Sequence, residues 1–239
     1  MSDKGQDYYD RLTDFMVEHV FPAEPVWSAY LREHGDNAYP PIMEDLKAEA
    51  QRRGLWNLFH PHPEWGPGLN NLEYAHLAEI TGRSIEIAPE AINCNAPDTG
   101  NMEVLTLFGT DEHKERYLKP LLNGEISSAF AMTEPAVASS DATNMAARAE
   151  VDGDEIVING RKWWSSGAAH PDCKVFVFMG LTDPDAPRHA QHSMVLVPAD
   201  APGVTIERAL PVMGQLDEPF GHCEVELKDV RVPLSNVLA

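Results

Sequence analysis

Two short segments hold residues whose types and spacing could do chemistry. The first reads Phe130-Ala131-Met132-Thr133-Glu134-Pro135-Ala136-Val137-Ala138-Ser139-Ser140-Asp141, an apolar strand that runs into a hydroxyl, a proline and a series of small residues. A turn of this kind exposes backbone N–H groups and a hydroxyl, which can bind the polar edge of a flat ring or a phosphate. It equally fits an ordinary strand end with Ser139, Ser140 and Asp141 as turn or cap residues. The second segment is Asn159-Gly160-Arg161-Lys162-Trp163-Trp164-Ser165-Ser166-Gly167. Strand alternation sends Trp163 and Trp164 to opposite faces, so one of them can wall an aromatic ligand while Ser166 supplies a hydroxyl beside it. Two packing tryptophans on a hairpin are the competing reading. His60 and His62 are close enough for a metal, but prolines hold that loop extended and no third ligand is evident, so no metal site is expected. His189 and His192, near Arg188 and Gln191, could meet phosphates or form a solvated loop.

The first half of the chain, which must position these segments, is written in helical period. Tyr8, Leu12, Phe15, Met16, His19 and Val20 recur at three-to-four spacing and predict a helix ending before Pro22, with a second opening at Pro25 toward Leu31. Ile42 to Gly54 reads as a helix closed by a glycine cap. Asn70 to Gly82 reads as another, with Leu72, Ala75, Leu77, Ala78 and Ile80 inward, and Asp111 is placed as the cap of a further helix. Beyond Ser128 the pattern changes to β. Hairpin turns are expected at Asp152-Gly153 and again at Asn159-Gly160, and short strands at Val175–Met179, Ser193–Val197, Val204–Ile206 and Glu224–Leu227. The fold class is therefore α+β: a helical domain over residues 1–126 followed by a small β-barrel or sandwich domain over residues 127–239.

Composition bounds the partners. The 239 residues include 38 acidic and 18 basic side chains, a net charge of −20, and no basic stripe, which argues against nucleic acid. A polyanionic ligand would need help from individual Arg or Lys residues. Cys94, Cys173 and Cys223 are far apart and odd in number, so free thiols in a reducing compartment are expected. The N-terminus lacks the marks of a signal or transit peptide, and no membrane span is present in the sequence, so a cytoplasmic location is the default.

Thr-Glu-Pro with small residues and Ser-Asp, followed some twenty residues on by Asn-Gly-x-Lys-x-Trp and a hydroxyl residue, resembles the flavin-binding signature of acyl-CoA dehydrogenases. Gly109-Thr110-Asp111-Glu112, Tyr117-Leu118-x-Pro120-Leu121, Pro202-Gly203-Val204 and Asp229-Val230-Arg231-Val232-Pro233-x-x-Asn236-Val237-Leu238 extend the similarity over nearly the whole chain, as N-terminal and middle domains. Asn93-Cys94-Asn95-Ala96-Pro97-Asp98-Thr99-Gly100-Asn101-Met102-Glu103, Trp163-Trp164-Ser165-Ser166-Gly167 and Arg188-His189-x-Gln191-His192-Ser193-Met194 are similar to the long-chain branch that animals fuse to a kinase-like domain. A stand-alone bacterial relative is the expectation.

The resemblance implies FAD as cofactor and a (long-chain) acyl-CoA as substrate, dehydrogenated at its α and β carbons in fatty-acid β-oxidation. It also implies an electron-transfer flavoprotein or similar acceptor and a homo-oligomer. Phe130, Met132 and Thr133 would contact the isoalloxazine, the last two at its pyrimidine edge. Trp164 would lie against the ring and Ser166 near N5, with Ala138 and Ser165 counted in the same cofactor-binding set. Ser139 or Ser140 would reach a flavin phosphate or the CoA. The choice stays open, because this chain has one more residue between Pro135 and Asp141 than the family's usual form and lacks both its glycines. Asn95, Asp98, Asn101 and Met102 match a segment that lines the family's acyl pocket, and fit a helix cap followed by core equally well. FAD and thioester would lie between the two domains. The family's base is a glutamate in a C-terminal four-helix bundle, expected to be missing here, and no acidic residue of this chain matches it. A non-catalytic half-subunit that needs a partner chain, or a flavin oxidase on the same fold, are the alternatives.

Overall fold

A computed structural model describes residues 1–35, 38–214, 216 and 221–238. The chain divides into two compact units, Met1–Thr99 and Gly100–Ala239. The division falls within the helical half, earlier than the domain boundary expected near residue 126.

The first unit is helical. α1 (Asp3–Phe15) and α2 (Phe21–His34) form one helical run, joined through a π-turn at Met16–Val20. The expected break at Pro22 does not occur, for a physical reason. Proline lacks an N–H and its ring clashes with the carbonyl four residues earlier, and an i→i+5 turn moves that carbonyl away. Here Phe21 N–H bonds Met16 O, immediately before the proline. Leu12, Phe15, Met16 and Val20 form the buried stripe that the periodicity predicts. α3 (Ile42–Arg52) ends as read: Gly54 has φ +65°, its N–H bonds Gln51 O, and Leu55 N–H reaches back to Ala50 O.

α4 (Asn71–Thr81) starts at Asn70, whose side chain accepts from Glu73 N–H at 3.0 Å while Glu73 accepts from Asn70 N–H at 3.1 Å. Its buried face matches the predicted one only at Leu77 and Ile80. Glu73, Leu77, Ile80 and Thr81 are buried, whereas Leu72, Ala75 and Ala78 are exposed. Glu73 also accepts from Ser2 Oγ, the cap of α1, so one carboxylate ties two helix starts together and turns Leu72 outward. α5 (Ala88–Ala91) completes the unit.

α6 (Asp98–Phe108) leads into the second unit, followed by α7 (Asp111–His113), a second π-turn at Lys114–Leu118, and α8 (Lys119–Asn123). Again the π-turn directly precedes a proline, with Lys119 N–H on Lys114 O and Pro120 next. The cap of α7 is Thr110 rather than Asp111: its hydroxyl accepts from His113 N–H at 3.2 Å, and Asp111 occupies the first turn, where its charge suits the helix dipole.

Seven strands follow: β1 (Ser127–Ala131), β2 (Arg148–Asp152), β3 (Glu155–Ser166), β4 (Cys173–Leu181), β5 (His192–Pro198), β6 (Val204–Ala209) and β7 (His222–Pro233). They form a curled sheet in the order β1-β4-β2-β3-β7-β6, with β5 on β4; among the described residues only β1–β4 and the single β2–β4 bridge are parallel. Ile156, Ile158, Phe176, Phe178, Val195, Val197, Val225 and Val230 fill its core, each such side chain contributing about 1.5–3 kcal/mol by burial. The hairpin turn at Gly153 is present, with φ +69°. The expected turn at Asn159-Gly160 is instead the middle of β3. Gly160 is there for close approach, since a Cβ on it would stand 2.3 Å from Ala147 Cβ. Among the described residues no helix is long and apolar enough to cross a membrane.

Candidate flavin-facing site

The second unit clamps the two chemistry-bearing segments together. Trp163 N–H donates to Thr133 O at 2.9 Å, and Thr133 Oγ1 donates to Trp163 O at 2.8 Å. This pair of bonds sets the end of β1 beside the last residues of β3. Beneath it lies a buried ion pair that sequence reasoning missed. Lys162, fully buried, donates to Glu134 Oε1 at 2.8 Å and to the carbonyls of Met132 and Met179 at 2.7 Å each. Its three N–H bonds are thereby used, and it sits 4.9 Å over the Phe178 ring. Glu134 also accepts from Ala146 N–H at 2.9 Å and Ala147 N–H at 3.0 Å. Burial pulls the Lys162 pKa down, and its bond to Glu134 opposes that. The Glu and Lys of the two motifs provided the signal, read as opposite charges on segments brought together.

The loop after Glu134 is closed by Ser139, buried, whose hydroxyl accepts from Glu134 N–H at 2.8 Å and donates to Glu134 O at 3.2 Å. Its donor is thus spent within the loop, while Ala138 and Ser140 are exposed. Of the two serines Ser140 is the one turned to solvent. Asp141 caps Thr143 and receives Arg188 NH2 at 3.0 Å; the Thr143 bonds first, then Arg188, hold its carboxyl below the usual range. Arg188 is therefore committed to Asp141 and Thr143, and His192 Nε2 lies 3.1 Å from Met145 O.

Trp164 marks the site. Its φ is +54°, a left-handed conformation that an aromatic residue rarely adopts, and its side chain is 42 % exposed. The β3–β7 register slips between Lys162 and Ser165, so Trp164 is the extra residue of a bulge that lifts the indole off the sheet. The Trp163 ring lies 5.9 Å from it, and Phe130, Met132, Thr133 and Trp163 are half-buried. Ser166 is half-buried, with its Oγ 2.7 Å from His222 Nδ1. His222 was not singled out from the sequence, where only its place opposite Ser166 on β7 could have revealed it.

Three expected site residues turn inward. Ser165 is fully buried on the opposite face from Ser166, and its Oγ has no hydrogen-bond partner among the described residues. Asn101 and Met102 are buried on α6, Asn101 donating to Ser128 Oγ at 2.8 Å, so they present core rather than pocket surface. Strand and helix periodicity alone could not choose these faces, because a bulge and a buried amide decide them. His60 is buried against the Phe59 and His62 rings, and burial pushes its pKa down to about 4.

An exposed indole on a strained bulge, a hydroxyl beside it and Thr133 with acceptor capacity left after donating to Trp163 fit the face and polar edge of a flat heteroaromatic ring. A curled sheet with this edge, preceded by helices, defines the class. The acyl-CoA dehydrogenase N-terminal domain model matches residues 2–125 and the acyl-CoA dehydrogenase middle domain model residues 129–230. The chain belongs to the acyl-CoA dehydrogenase family. It is 58 % identical over 240 residues to the probable acyl-CoA dehydrogenase FadE2 of Mycobacterium tuberculosis, covering 100 % of this chain and 58 % of that protein. It is 46 % identical to human acyl-CoA dehydrogenase family member 11, covering 98 % of this chain and 30 % of that protein. A solved structure of a putative acyl-CoA dehydrogenase from Mycobacterium abscessus superposes with a TM-score of 0.96 at 55 % identity, over 100 % of this chain and 60 % of that one. The chain thus spans 30 % to 60 % of the length of these three relatives.

Proposed function

We propose that this chain forms the FAD-facing part of an acyl-CoA dehydrogenase acting on a long-chain acyl-CoA in β-oxidation. The observation that carries the reading is the double hydrogen bond between Thr133 and Trp163, which sets Thr133, the exposed Trp164 and Ser166 at one sheet end. Bound FAD supplies the acceptor for the hydride leaving the β carbon. The chain's residues would do the positioning: Trp164 and Phe130 would wall the ring, Met132 and Thr133 would address its polar edge, and Ser166 would stand near N5. Ala138 and Ser140 are the exposed part of the loop for phosphate or CoA contact.

Glu134 is not the base. It is buried, and its carboxylate accepts from Lys162 and from Ala146 and Ala147 N–H, so it is committed to holding the two segments together rather than turned toward a ligand. The base belongs to a glutamate outside the elements described. An electron-transfer flavoprotein as acceptor, a homo-oligomeric assembly and a cytoplasmic location complete the proposal. The test is anaerobic titration of the FAD-loaded full-length protein with acyl-CoAs of increasing chain length. Bleaching of the visible flavin band, greatest with long chains, is expected; a bound flavin that no acyl-CoA bleaches overturns the reading.

A further inference from the structure

The β3–β7 pair has two faces after its bulge. Ser165 lies opposite Cys223, both fully buried, and Ser166 lies opposite His222, both half-buried. Residues directly opposite on an antiparallel pair present their side chains to the same face. The bulge that exposes Trp164 therefore also brings the Ser166 hydroxyl and the His222 imidazole together, with Oγ 2.7 Å from Nδ1 and the His222 ring 6.4 Å from the Trp164 ring. Gly167 N–H on Gly221 O, 3.0 Å, and Leu210 N–H on His222 O, 2.8 Å, fix the backbone on either side.

We propose that His222 is a positioning residue of the flavin site, acting through Ser166; this rests on the FAD reading above. A serine hydroxyl rotates freely among its staggered wells unless something holds it, and His222 Nδ1 selects one well. The imidazole also sets the sense of the hydroxyl. With the proton on Nε2, Nδ1 accepts from Ser166 and the serine turns a lone pair outward. With the proton on Nδ1, Ser166 accepts and its O–H points outward. Ring nitrogen N5 is an acceptor when oxidised and carries an N–H when reduced, so a partner able to exchange tautomers lets Ser166 serve both states. Serine alone can also rotate between these roles; His222 makes each one a held geometry.

The test is a double-mutant cycle in the FAD-loaded full-length protein, reading the flavin reduction midpoint, FAD affinity and thermal stability for wild type, S166A, H222L and S166A/H222L. H222L and S166A should each change the ratio of reduced to oxidised FAD affinity about tenfold, which is about 30 mV for a two-electron couple. The double variant should show no more than either single. H222N, whose amide reaches the place of Nδ1, should stay close to wild type, whereas H222Q, which reaches the place of Nε2, should resemble S166A. The Asn and Gln pair decides the matter if H222L fails to fold. Additive effects, or H222N and H222Q behaving alike, overturn the inference while leaving FAD binding intact. A wild-type protein that binds no FAD overturns the underlying flavin reading, and this inference with it.

Discussion

Lys162 and Glu134 hold the site from below, and what they cost shows in substitution. Removing one member of a buried, hydrogen-bonded ion pair leaves the other charge uncompensated, so Lys162→Met should destabilise by about 3–5 kcal/mol, read by urea unfolding. Adding Glu134→Gln to it should restore part of that loss. A double variant less stable than Lys162→Met would show that the pair is not the source. Ser165 makes the opposite case: its buried hydroxyl lacks a partner among the described residues, so Ser165→Ala should stabilise by about 1 kcal/mol with FAD affinity unchanged. A fall in FAD affinity would return Ser165 to the binding set. At this scale the sequence was legible in residue types more than in directions. Thr133, Trp164 and Ser166 share one end of the sheet, and their contact with a flavin belongs to the proposal. Ser139, Ser165, Asn101 and Met102 point elsewhere, because hydrogen bonds to Glu134 O and Ser128, and a one-residue slip, are invisible in spacing.

At the scale of elements, hydrophobic period found the helices, the buried stripe of the first and the end of α3, but not the passage through Pro22 or the full face of α4. A proline is a break signal only for a regular α-helix, and both π-turns of this chain precede a proline that the helical run then passes. The face of α4 was misread because a glutamate, ordinarily outward, is buried as a shared cap. Asn159-Gly160 was misread because glycine serves two ends, turning a chain and letting chains approach. Gly160→Ala tests which applies here. A methyl 2.3 Å from Ala147 Cβ must displace β2 or β3, so a loss of about 1–3 kcal/mol is expected in urea unfolding. An unchanged midpoint would mean that the contact relaxes freely.

Over the whole molecule, the net charge of −20 sets the conditions under which the proposed acyl-CoA, a polyanion, would approach. Several cations are already committed to carboxylates: Arg53 to Glu18 and Glu49, Arg161 and Arg208 to Glu224, Arg231 to Asp152 and Glu155. Long-range repulsion of CoA phosphates is screened by salt, with a Debye length of about 10 Å at 0.1 M. Stopped-flow association of acyl-CoA should therefore accelerate as ionic strength rises from low values. A rate that falls with salt would reveal a local basic patch strong enough to reverse the global field.

The bulge at Trp164 acts as a phase shifter for the strand. Before it, even-numbered residues face the core, as Ile156, Ile158 and Lys162 do; after it the odd-numbered Ser165 does. One strand thus serves a buried charge and a half-buried hydroxyl on its other face, which strict alternation would have placed on the same side. The segment from Lys162 to Ser166 can therefore absorb changes of residue type far better than a change of length. Loss of a single residue there would remove the bulge and restore simple alternation, leaving Ser165 inward and Ser166 outward but taking away the backbone kink that lifts the indole off the sheet.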